Sequence, residues 1–120
     1  MGLVDQLERF EQSVRALQAS VRQASTAQIL EQSTQLSADF QQIIETTNEE
    51  HLNPVAENST AAQQIKTYQT EAHRRLRIIG IEAMKLKTAR QPTTVERGRS
   101  QLASHLEQLG QFAQAMREAL

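Results

Sequence analysis

The stretch RRLRIIGIEAMKLKTARQP, residues 74–92, decides how this chain must fold. Its apolar residues recur at helical spacing, with Leu76, Ile79, Ala83 and Leu86 on one stripe that faces a core. Ile78, Ile81 and Met84 fall outside that stripe, among Arg74, Arg77 and Lys85. A helix with more apolar positions than one stripe can hold is either central and packed on two sides or presents a surface to a partner. Gly80, in the middle of the segment, costs about 1 kcal/mol relative to Ala. It would also allow another helix to approach closely.

Working outward, the same helix extends back to about Thr60, because Ile65 and Ala72 continue the seven-residue repeat of Ile79 and Leu86, joined by Tyr68. Gln91-Pro92 ends it, and Thr93 with Glu96 has the spacing of a capping box for a further helix. That last segment carries Val95, Leu102, Leu109 and Met116 at seven-residue spacing, with Leu106, Phe112, Ala113 and Leu120 beside them.

Towards the N-terminus, Leu3, Leu7, Phe10, Val14, Leu17 and Val21 form one amphipathic stripe, with Asp5 and Glu8 where the helix dipole favours acids. Ile29, Leu36 and Ile43 define a second, widened by Leu30, Phe40 and Ile44. The two stripes are out of register. ASTAQ (24–28) between them offers Ser25 and Gln28 as a capping box, so a tight turn is expected near 23–26, with one long helix containing a stutter as the alternative. From Thr46 to Ser59 the pattern breaks, and Asn53-Pro54 disfavours helix.

The expectation is an all-α single domain over residues 1–120, an antiparallel up-down four-helix bundle. Its helices should cover about 2–23, 26–46, 60–90 and 94–119, with the longer connection at about 47–59. Composition agrees, since hydrophobic content is 38%, aromatics only 3%, and two prolines and four glycines are too few for a β-sandwich.

With no cysteine, disulfides, thiolate metal sites and a cysteine nucleophile are excluded. No apolar run approaches the roughly 18 residues that span a bilayer, and Asp5, Glu8 and Arg9 interrupt any signal-peptide core. A cytoplasmic protein that does not engage membranes is expected. His51, His73 and His105 form no metal-ligand pattern, there is no phosphate-binding glycine loop, and no cofactor or small-molecule substrate is expected. His73 raises the idea of a histidine phosphotransfer bundle, but Leu76 and Arg77 stand where such domains carry Lys and Gly. Stacking aromatics for nucleic acid are missing. The reading is therefore non-enzymatic.

Charge is unevenly distributed. Residues 1–60 carry three Arg/Lys against nine Asp/Glu, and residues 61–120 carry ten against five, within an overall net charge of −1. Between 74 and 99 there are eight Arg/Lys against two Glu, with Lys87, Arg90, Arg97 and Arg99 extending the basic character into the last helix. An apolar strip ringed by cations suits an acidic, partly apolar partner. The candidate surface is Arg74, Arg77, Ile78, Ile81, Met84, Lys85, Lys87 and Arg90. A homodimer or homo-oligomeric helical scaffold using Ile78 and Ile81 as a self-interface is the competing class.

The run YQTEAHRRLRIIGIEAMKLKTARQPTT, 68–94, followed by Arg97, resembles the cyanobacterial heterocyst frequency control protein PatD family. The residues that carry the resemblance are Tyr68, Thr70-Glu71, His73, Leu76-Arg77, Ile79-Gly80, Ala89-Arg90-Gln91-Pro92 and Arg97, mostly within 64–99. Lys85-Leu86-Lys87 is more basic than the family's pattern, and the first 60 residues match only as two Gln-rich helices. The resemblance implies a regulator linking cell division to heterocyst patterning. It would bind the tubulin-like division protein FtsZ, modulate its assembly and be recruited to the division site.

Overall fold

In the computed structural model, residues 2–50 and 60–120 are described. Four helices account for almost all of them: α1 (Leu3–Ser20), α2 (Thr26–Glu50), α3 (Thr60–Thr88) and α4 (Pro92–Ala119). Each packs against two others, in the order α1, α2, α3, α4, with α4 closing back on α1 and no diagonal contact among the described residues.

Residue pairings fix the directions. Along α1 and α4, Glu11 meets Arg117 and Val21 meets Arg99, so one number rises as the other falls. Along α3 and α4, Tyr68 lies against Phe112, Arg75 reaches His105, and Leu86 touches Gly98. The groove between α1 and α2 matches Ser20 and Leu17 with Gln32 and Leu36 at one level, and Phe10 with Ile43 at another. Neighbouring helices are therefore antiparallel, and the expected up-down bundle is the observed one.

Most of the core comes from the stripes read from the sequence, although Val95 and Phe112 are only partly buried, Leu120 is exposed, and Ser33 and Thr47 are buried in addition. Leu7, Phe10, Val14 and Leu17 from α1 meet Ile29, Leu36, Phe40 and Ile43 from α2, with Leu76, Ile79, Ala83 and Leu86 opposite Leu102, Leu106, Leu109 and Ala113. Each fully buried aliphatic side chain contributes about 1.5–3 kcal/mol. Phe10 and Phe40 stack at 5.3 Å between centroids, tilted by 42°, a geometry that adds about 0.5–1.5 kcal/mol beyond area burial.

The α1–α2 turn is closed by the capping box. Gln28 N–H donates to Ser25 Oγ at 3.1 Å, and Ser25 N–H donates to Gln28 Oε1 at 3.2 Å. Two orphan amides at the start of α2 are thereby satisfied, and the single long helix is excluded.

Four boundaries differ by two residues or more from the sequence reading. Helix α1 ends at Ser20, earlier than 23, because Val21–Ala24 form the turn itself. Helix α2 continues past 46 to Glu50. Thr47 is 1% exposed, and its hydroxyl donates to Ile43 O at 2.7 Å, so a polar residue extends the buried stripe without an unpaired donor. Helix α3 stops at Thr88 rather than 90, so that Ala89 and Arg90 lie outside the helix before Pro92. The fourth is at α4, which starts at Pro92 with Gln91 as N-cap and no side-chain cap bond. Proline at the first helical position has its φ pre-set and lacks only an N–H that would be orphaned anyway. The Thr93–Glu96 capping box accordingly does not form; Glu96 instead lies 3.9 Å from Arg22. The Asn53-Pro54 break lies outside the described residues.

Candidate functional surface

Helix α3 is held on both flanks. One side meets α4, where Arg75 and Leu86 make their contacts, and the other meets α2 near Leu30. This double packing buries Leu76, Ile79, Ala83 and Leu86 as expected, yet it does not absorb the surplus apolar residues. Ile81 is 53% exposed and Met84 62%, the two most exposed large hydrophobic side chains among the described residues; Ile78 is half-buried.

At 100° per residue, Ile81 sits midway between Ile78 and Met84 on the outward arc, about 60° from each. Arg77 falls between Met84 and Ile81, and Arg74 and Lys85 fall between Ile81 and Ile78. All three cations are exposed. Arg74 lies 3.5 Å from Glu71 and Lys85 lies 3.9 Å from Glu82, both as i, i+3 pairs on the same helix. With Arg74 and Lys85 about two-thirds exposed or more, such pairs are worth about 0–1 kcal/mol and leave the cations available. Arg77 makes no ion pair with a described residue.

Lys87 and Arg90 stand slightly apart. With Met84, Thr88 and Ala89 of the α3 end, and Leu30 of α2, they line a concavity where the two helices meet. Met84 belongs to both features and joins them. The structure thus brings seven of the eight expected residues onto one continuous exposed surface, with half-buried Ile78 at its edge.

The extension of that surface through Arg99 does not hold. Arg99 turns towards α1, and its Nη1 donates to Val21 O at 2.8 Å and Ala24 O at 2.6 Å. These carbonyls belong to the end of α1 and the turn after it. A helix C-terminus leaves its last carbonyls unpaired and carries partial negative charge. Helix α1 has no basic residue of its own in its last turn, so Arg99 supplies that charge from α4. Arg22 fastens the same turn from the other direction, 3.4 Å from Ser100 Oγ and 3.9 Å from Glu96. Nothing local in the sequence signals this use of Arg99, since its partners are 75 and 78 residues away.

Arg75 was not among the candidates, and it does not join the surface either. Its Nη1 lies 2.9 Å from Nδ1 of His105. Because a guanidinium can only donate, His105 Nδ1 accepts and the ring is neutral, with its proton on Nε2. Burial, reinforced by the Arg75 charge and partly opposed by Glu82, lowers the His105 pKa from 6.5. His73 is exposed. Among the described residues, no group of three or more His, Asp or Glu could hold a metal ion, and no helix is long and apolar enough to cross a membrane.

Gly80 departs from expectation as well. A Cβ built there would have nothing within 4 Å, so among the described residues no neighbouring helix occupies the space where its side chain would be. Compared with known proteins, the chain matches no family model, no curated protein and no solved structure.

Proposed function

We propose that this chain is a non-enzymatic regulator of cell division that binds FtsZ and modulates its assembly through the exposed face of α3. The observation that carries the reading is Ile81 and Met84 exposed side by side amid Arg74, Arg77 and Lys85. A bundle with no internal need for two exposed large apolar residues presents them to something else. The surrounding cations select for an acidic partner and speed its association. The resemblance of 64–99 to the PatD family supplies the name of that partner and a link to heterocyst patterning. Under this reading the protein acts in the cytoplasm and moves to the division site when bound.

The test is co-sedimentation of the chain with FtsZ from the same organism, in the presence of GTP. The expected result is co-pelleting with a changed polymer yield, strongest at low salt, where charges are least screened. Arg74→Glu with Arg77→Glu should abolish it. Unchanged binding by that pair, or no co-pelleting at low salt, overturns the reading.

The same exposure of Ile81 and Met84 favours one second reading, a homo-oligomeric scaffold. It predicts a dimer in sedimentation that Ile81→Glu dissolves while partner binding is unaffected.

A further inference from the structure

Three glycines lie inside helices, Gly80 in α3 and Gly98 and Gly110 in α4. Glycine is the worst helix former after proline, so each needs a reason. Packing supplies it twice. A Cβ at Gly98 would stand 3.1 Å from Leu86 Cδ1, at the close approach of α3 and α4. A Cβ at Gly110 would come within 2.6 Å of the Arg15 guanidinium carbon. Gly80 has neither reason. No glycine has a positive φ among the described residues, and the space where its side chain would be is open.

Half-buried Gly80 lies at the margin of the exposed arc, about 40° beyond Met84 on the side of α2 and about 100° from Ile81. Gly80 directly precedes Ile81, and Met84 follows it by one turn. We propose that Gly80 lets an acidic amphipathic helix of a partner settle close against the margin of this arc, lying over Met84 and reaching Ile81 on its far side. The proposal rests on the reading of α3 as a docking face and specifies what docks there. A helix is the shape that gains most from the notch. Two helix axes normally sit about 8–10 Å apart, held off by their side chains, and a residue without one permits a closer crossing. The charge of the rim sets the partner's chemistry, because Arg74, Arg77, Lys85, Lys87 and Arg90 outnumber Glu71 and Glu82 there. It also argues against a second copy of the same face. A second copy of the same face would bring another rim of net positive charge against this one, and like charges repel.

The probe is a labelled synthetic peptide with Leu on one helical face and Glu on the other. Its control has the same composition scrambled so that the faces are mixed. The segregated peptide should bind at least tenfold more tightly than the control. Gly80→Leu fills the notch, where a Cβ meets no atom within 4 Å, and should weaken binding about tenfold. Gly80→Ala should raise Tm by a few degrees through helix propensity while weakening binding, an opposition that a purely structural glycine would not produce. Equal binding of the two peptides, or undiminished binding by Gly80→Leu, overturns the proposal. So does a dimer of the unmodified chain that Gly80→Leu dissolves. If the peptide results hold and FtsZ does not co-pellet, helix docking stands and the division reading falls. If FtsZ binds through Arg74 and Arg77 but the peptide results fail, the reverse follows.

Discussion

Arg75 donates a hydrogen bond to Nδ1 of His105 across the α3–α4 interface, at 2.9 Å. A permanently charged donor and a titratable acceptor thus share a half-buried contact in the most extensively packed pair of helices. Protonating the imidazole would remove its acceptor lone pair and place two cations together.

The consequence for stability follows from linkage. His105 has a folded pKa below its ordinary 6.5, so the unfolded state binds the extra proton more readily and stability rises with pH through that window. The contribution is present above 6.5 and is lost as pH falls below it towards the folded value. Urea midpoints between pH 7.5 and 5.5 should decline in the unmodified chain. They should decline less in His105→Gln, which has no proton to take up there. Parallel profiles would exclude His105 as the cause.

Arg99→Ala should destabilise the bundle by about 1–3 kcal/mol, because it strips the carbonyls of Val21 and Ala24 of a charged donor. Arg97→Ala, on an exposed position of the same helix, should stay within about 0.5 kcal/mol. Chemical denaturation of the two variants side by side checks the difference. Equal effects would mean that Arg99 does not cap α1.

Leu106 has no exposed surface, whereas Ile81 is 53% exposed. Leu106→Ala should therefore cost about 2–5 kcal/mol through lost burial and the cavity left behind. Ile81→Ala should change stability by less than about 0.5 kcal/mol and show itself only in partner binding. A large loss of stability at Ile81 would place it in the core rather than on the proposed docking face.

Two long-range ion pairs should differ in strength. Arg117 approaches Glu11 Oε1 at 3.2 Å through both Nε and Nη2, with side chains 32% and 18% exposed. Arg22 and Glu96 are 3.9 Å apart and 61% and 74% exposed. Double-mutant cycles should give a coupling of about 1 kcal/mol for the first, and close to zero for the second at physiological salt.

Much of this architecture is a local property of the chain. The stripes of Leu7–Phe10–Val14–Leu17 and Leu102–Leu106–Leu109–Ala113 require only that each segment be helical and bury one side. The period of 3.6 residues then assigns these core positions. The Ser25–Gln28 capping box is equally local, closing over three residues. Legibility failed where local rules competed. Thr93–Glu96 has the capping spacing, but Pro92 starts the helix two residues earlier, with Gln91 as N-cap.

The candidate surface was legible as a list and not as a surface. Periodicity shows that Ile78, Ile81 and Met84 leave the core stripe of α3, but not whether a neighbouring helix covers them. That depends on where α2 and α4 lie, and the bundle leaves Ile81 and Met84 open while half-covering Ile78. Arg99, Arg75 and Gly80 show the same division. Sequence by itself determined that two of them carry charge and that the third lacks a side chain. Only the tertiary structure decided that Arg99 closes α1, that Arg75 serves His105 and that Gly80 stays open. Helical periodicity is set by neighbours within a turn or two, whereas the partner of a side chain between helices is set by packing that brings together residues 30 to 78 apart.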